Sequence, residues 1–173
     1  MMAPARVRKA VWKVATMGWP KGRVRRMAAH DELLIDSGMI QKLLEGARTA
    51  TAHAYVSYSS FPVGAAILVE DGTIVTGVNI ENASYGLTVC GERVAIFNAA
   101  AQGYREVRAV AVSAPRAPRT TPCGACRQVL NEFKPVAGDL TVVLEGADGP
   151  DVTTLAALLP HAFGPRDLDH PDS

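Results

Sequence analysis

Apolar residues first settle into a pattern near residue 37. From there to about 53, Ile40, Leu43, Leu44 and Ala47 recur at the spacing of one helical face, with Ser37 placed to cap the start. The period then changes. Residues 63–69 and 73–78 are short runs rich in β-branched residues, and Asp71-Gly72 between them marks a hairpin. Helical spacing returns over 90–101, with Val94, Phe97 and Ala101 available to one buried face. Residues 107–112 read as a strand covered on both sides. Pro122 suits the first turn of a helix over 123–133. Residues 140–144 predict another strand and 154–159 a short last helix. The order α-β-β-α-β-α-β-α implies an α/β protein, helices packed on a mixed sheet. No repeat or low-complexity linker divides it, and Arg116–Arg119 reads as a loop.

Composition places the chain among single globular domains. Its 173 residues are 48% hydrophobic and 20% charged, which suits one buried core and excludes a disordered or fibrous chain. No run approaches the ~20 apolar residues that span a bilayer, so no membrane association is expected. The formal charge of +1 hides a division. Residues 1–26 carry eight basic residues and no acid, leaving 10 of the 18 basic residues against all 17 acids, a formal −7 for the remainder. The expected organisation is therefore a basic extension over 1–30 and one acidic domain over 31–173. Three readings fit the extension: a solvated tail preceding a true start at Met27, an Arg-rich targeting peptide, or an arm for nucleic acid or another partner. A secretory signal fits poorly, since no clean apolar core follows the charges.

The candidate chemistry sits in two phrases that hold all three cysteines, Thr88-Val-Cys90-Gly91-Glu92-Arg93 and Pro122-Cys123-Gly-Ala-Cys126-Arg127-Gln128. An odd count argues against a disulfide framework. Cys123 and Cys126, three apart on a helix, share a face. Three thiolates on zinc leave the fourth tetrahedral position open to water, as a catalytic site requires. His30, His53, His161 and His170 show no ligand spacing to close it. Glu92, two residues past Cys90, can stand beside a metal-bound water without being a ligand. A purely structural zinc site, or a disulfide with a spare thiol, also fits the cysteines but leaves Glu92 without a task. Both cysteine segments begin helices, whose free N–H groups favour thiolate. Arg93 and Arg127, next to the ligands, can donate to the sulfurs and offset their charge; read blandly, they are surface arginines.

The combination of Cys-x-Glu with Pro-Cys-x-x-Cys is the signature of zinc nucleobase deaminases. The chain resembles a cytidine deaminase of the small, homotetrameric, three-cysteine kind over about 43–168. Further phrases carry that resemblance: Tyr58-Ser-Ser-Phe-Pro-Val-Gly-Ala-Ala66, Asn79-Ile-Glu-Asn-Ala83, Tyr85-Gly-Leu, and Leu158-Leu-Pro-His-Ala-Phe-Gly-Pro165. It implies a three-layer α-β-α fold with a five-stranded mixed sheet, and one Zn²⁺ per subunit on Cys90, Cys123 and Cys126. Glu92 would be the proton shuttle of catalysis. Asn79 and Glu81 resemble the pair that binds the ribose hydroxyls. Two apart on a strand end, they project to the same side, although a polar strand end needs no ligand. Phe61 resembles the residue packing on the pyrimidine, and Phe163 an aromatic reaching a neighbouring subunit's site; core packing is the plain reading of either. Ala83 and Tyr85 fall in the phrases lining the substrate, and the Gly91 N–H can hold the C2 carbonyl. The family pattern has Ala where this chain has Gly91, which would loosen the helix start and open space beside the base.

The resemblance implies hydrolytic deamination of cytidine and deoxycytidine, in pyrimidine salvage, in the cytoplasm, by a homotetramer with shared sites. A modified cytosine nucleoside or nucleoside antibiotic is the alternative substrate; Asn79, Glu81 and Phe61 favour plain nucleosides. Two rivals lie outside small-molecule catalysis. A nucleic-acid binder or editor would use the basic arm, but the acidic body lacks an aromatic and basic stripe, so nucleic acid is not expected as a partner. A zinc scaffold without activity is the other.

Overall fold

Asp36, rather than Ser37, starts the first helix: its carboxylate accepts from the Met39 N–H at 2.8 Å, a cap worth about 0.5–2 kcal/mol. In this computed structural model, which describes residues 35–168, helix α1 spans Ser37–Ala50 and a 3-10 turn follows over Thr51–His53. The basic extension expected over 1–30 lies outside the described residues. Strands β1 (Gly64–Val69) and β2 (Ile74–Val78) form the expected hairpin. At its tip Gly72 takes φ +92, and the Asp71 carboxylate accepts from the Thr73 N–H. Helix α2 (Gly91–Ala101), strand β3 (Val107–Ser113), helix α3 (Gly124–Glu132) and strand β4 (Thr141–Glu145) follow as the periodicity predicts. Pro122 sits before the α3 N-cap, Cys123, instead of inside the first turn.

The apolar pattern predicts four strands, and the sheet has five. The additional strand β5 (Pro150–Thr154) pairs antiparallel with β4 and precedes the one-turn helix α4 (Leu155–Leu158). The strand order is β2-β1-β3-β4-β5, with only β3 and β4 parallel, as the α3 crossover between them requires.

Alternation along β1 separates two cores. Ala66 and Leu68 meet Leu43, Leu44 and Ala47 of α1 on one face, together with Ala109, Ala111 and Val143. Ala65, Ile67 and Val69 face α2, α3 and α4 on the other, with Val110, Val112, Val142 and Leu144. Each fully buried Leu contributes about 1.5–3 kcal/mol. The result is the three-layer α-β-α arrangement. The α2 face differs from expectation: Ala95, Ile96 and Ala99 are buried, while Phe97 and Ala101 are exposed. Small residues win because α2 lies almost on top of β2. A Cβ on Gly77 would stand 2.2 Å from the Ala95 nitrogen, so only glycine permits the approach.

Candidate functional site

One end of the sheet gathers the predicted residues. The register pairs Gly64 with Val78 on one side and Ser113 on the other. The loop entering β1 and the segment leaving β2 therefore meet at this end, and α2 starts there. The segment after β2 is fastened by backbone bonds between Ile80 and Val89, and between Tyr55 and both Asn79 and Glu81.

Cys90 and Cys123 are the N-cap residues of α2 and α3, both with extended backbone and no side-chain cap. Thiols at helix N-termini sit in the positive end of the helix dipole, which favours thiolate. Cys126, one turn into α3, is buried. The three Sγ atoms lie within 4.8 Å of one another, at 3.9 Å for Cys90 to Cys123 and 3.4 Å for Cys123 to Cys126. Tetrahedral Zn–S bonds place sulfurs ~3.8 Å apart, so the donor set fits zinc in both chemistry and spacing. The neighbouring Cys126 thiol and the Arg93 guanidinium bring the Cys90 pKa down to about 5 against its burial, while Cys90, burial and the Glu92 charge drive Cys126 upward.

Glu92 lies in the first turn of α2 and is 4% exposed. Burial raises its pKa, and the Cys90 charge adds to this; the Cys126 thiol and Arg93 pull the other way. A carboxyl poised upward beside three thiols is suited to carrying a proton in both directions.

The two arginines separate. Arg93 reaches Cys90 Sγ at 3.8 Å and the Thr88 carbonyl at 3.1 Å, and its Nε is buried with no partner. Arg127, expected on the sulfurs as well, has turned away. It donates to the carbonyls of Pro122 at 2.6 Å and Leu158 at 2.7 Å, and to Thr121 Oγ1 at 3.0 Å.

Asn79 and Glu81 face the same side, as two-residue spacing on a strand end requires, and both grip the loop before β1. Asn79 Oδ1 accepts from the Val63 N–H and its Nδ2 donates to the Phe61 carbonyl. Glu81 Oε2 accepts from the N–H groups of Tyr58 and Ser59, and hydrogen bonds from Ser59 and Tyr58 hold its carboxyl below the usual range. Phe61 is half-buried. Tyr85 is 75% exposed and meets Tyr58 edge-on at 5.9 Å, and Ala83 is exposed beside it. The missing Cβ of Gly91 does not open space beside a base: it would face the Val63 carbonyl at 3.0 Å and the backbone of Asn79 and Gly77. Phe163 stands apart, 60% exposed, its carbonyl held by Gln128 and Asn131 of α3. Arg116, which the sequence did not single out, pins the same loop through the Ser60 carbonyl at 2.6 Å. Fifty-six residues separate that pair, and no local pattern announces it.

The sequence pattern of the family described as the cytidine and deoxycytidylate deaminase zinc-binding region matches residues 38–140. A cytidine deaminase of Sporosarcina psychrophila is 48% identical over 132 residues, 76% of this chain and 96% of that protein. One from Mycobacterium tuberculosis is 43% identical, covering 73% and 91%. The crystal structure of a cytidine deaminase from Burkholderia pseudomallei superposes with a TM-score of 0.66 at 45% identity, over 71% of this chain and 98% of that one.

Proposed function

The chain belongs to the cytidine and deoxycytidylate deaminase family, and from that premise we propose that it is the zinc-dependent hydrolase converting free cytidine and deoxycytidine to the uridine products with release of ammonia. The observation that carries this reading is the convergence of three thiols with the buried Glu92 carboxyl at the start of α2. Cys90, Cys123 and Cys126 would hold zinc. The metal supplies a Lewis acid that makes water nucleophilic near neutral pH.

Glu92 takes the proton from the attacking water, delivers it to N3 of the pyrimidine, and then carries a proton to the departing amine. The Gly91 N–H, at an uncapped helix start, is placed to hold the C2 carbonyl. Phe61 packs on the base. Asn79 and Glu81 keep donor and acceptor capacity beyond their loop contacts, enough for a vicinal diol. Ala83 and Tyr85 line the substrate, and Arg93 offsets the thiolate charge.

The deaminase domain is residues 31–173, and its place is pyrimidine salvage in the cytoplasm, where three thiols stay reduced. Among the described residues no helix is long and apolar enough to cross a membrane. We read the working form as a homotetramer in which Phe163 enters a neighbour's site. Supporting this, Phe163 is exposed, and so are the large apolar side chains of Tyr55, Tyr58, Ile80, Tyr85 and Leu87, surface that a partner subunit would cover. An ammonia-release assay on zinc-loaded protein with cytidine, deoxycytidine and a modified cytosine nucleoside tests the reaction. Silence with the first two sinks it. Sizing the active species tests the assembly, and a fully active monomer contradicts it.

A further inference from the structure

The segment after α4 has little apolar anchorage. Leu158 and Leu159 are only part-buried, at the margin of the core. What fixes the backbone beyond them is a row of polar side chains on α3. Arg127 donates to the Leu158 carbonyl. Gln128 Nε2 and Asn131 Nδ2 both donate to the Phe163 carbonyl, at 2.7 and 3.2 Å. A carbonyl oxygen has two lone pairs, and both are used here. Asn131 is 6% exposed, whereas Phe163 is 60% exposed.

The seat is shaped as well as bonded. A Cβ on Gly164 would lie 2.8 Å from Asn131 Nδ2, so the bare glycine admits the amide. The Gly164 N–H donates to Asp167 Oδ2 at 2.7 Å, closing the turn beyond it. The backbone is thus held from both sides at Phe163, whose side chain is left exposed. The helix that holds it begins with two of the three thiols.

We propose that Gln128 and Asn131 are positioning residues that set the Phe163 ring, so that one helix serves its own subunit's zinc and a neighbour's pyrimidine site. This rests on the reading that Phe163 completes a neighbouring site. A loosely tethered ring would have to be ordered at each binding event; a fixed carbonyl removes part of that cost. The ring contacts substrate and takes no part in proton transfer, so loss of its seat should appear in KM and leave kcat alone.

Steady-state kinetics of zinc-loaded Gln128→Ala, Asn131→Ala, Phe163→Ala, and each seat variant combined with Phe163→Ala, test this. Either seat variant should raise KM for cytidine about 3- to 10-fold, the loss expected for one hydrogen bond. Neither should add anything once Phe163 is Ala. Gln128→Glu keeps the shape and loses the donor, and should match Gln128→Ala. Asn131 is buried, so if its Ala variant fails to fold, the exposed Gln128 still carries the test. An effect on kcat, or one that persists in the Phe163→Ala background, overturns the proposal. So does a normal KM in Gln128→Ala when Phe163→Ala is impaired. A normal KM in Phe163→Ala removes the shared-site reading itself, and the positioning role with it.

Discussion

Helices α2 and α3 open with the same device and use it for different ends. Each has an uncapped cysteine at the N-cap, a glycine next and an arginine within the first turn or just past it. At α2 the opening is buried: Gly91 and Glu92 are packed under the sheet end, and Arg93 faces a sulfur. At α3 the residues after Cys123 are exposed up to Cys126, and Arg127 faces carbonyls. Burial is what suits one helix start to the proton transfer proposed for Glu92. The other start contributes the two remaining thiols and anchors the C-terminal segment.

The largest effects should separate the two starts cleanly. Glu92→Gln should lower kcat by about 10²- to 10⁴-fold, the usual worth of a general acid–base group, with zinc still bound at one per subunit. Cys126→Ala should lose the metal itself. Metal analysis beside turnover distinguishes these outcomes. Zinc lost from Glu92→Gln would mean that the carboxyl holds the site together instead of working in it.

The arginines come next. Arg127→Ala removes three hydrogen bonds from a charged donor, for about 1.5–3 kcal/mol and a melting temperature lower by about 4–10 °C. Arg93→Ala should cost less stability, because its Nε is buried unpartnered and its removal relieves that burden. Its effect should fall on the metal. Thiols must lose their protons to bind zinc, so affinity falls as pH falls. Arg93 helps hold Cys90 down near 5; without it the Cys90 pKa rises and zinc is released at a higher pH. Zinc retention titrated from pH 8 to 4 should show that shift in Arg93→Ala and not in Arg127→Ala. Equal shifts would erase the distinction between the two arginines.

Where sequence succeeded and where it failed follows the same physics. The thiols and Glu92 are legible because ligand chemistry demands particular residue types at short spacings, and both phrases are local. Arg127 misled because adjacency to Cys126 in sequence is about 100° of rotation on a helix, enough to choose another partner. The α2 face misled because periodicity weighs large apolar residues. Close approach to Gly77 instead buries Ala95 and Ala99 and leaves Phe97 in solvent. Strand β5 escaped because Pro150-Asp-Val-Thr-Thr is an edge, half-exposed and opened by proline, without an apolar run. The seat of Phe163 is built from residues 32 and 35 positions away, a distance at which pattern is silent.

The smallest difference is the most exacting. Gly91 and Gly124 occupy equivalent positions, and alanine in place of helical glycine gains up to about 0.5–1 kcal/mol where nothing opposes it. Nothing stands within 4 Å of a Cβ at Gly124, so Gly124→Ala should raise the melting temperature by about 1–4 °C. At Gly91 the new methyl would press on the Val63 carbonyl at 3.0 Å. That carbonyl accepts from the Asn79 N–H, while the Asn79 side chain accepts from the Val63 N–H. The pair cannot yield without moving Asn79. Gly91→Ala should therefore gain less than Gly124→Ala, and what strain it introduces should reach Asn79 and, through the ribose contact proposed for it, appear as a raised KM. Equal gains in thermal melts of the two zinc-loaded variants, with KM unchanged, would show that the buried start is no tighter than the exposed one.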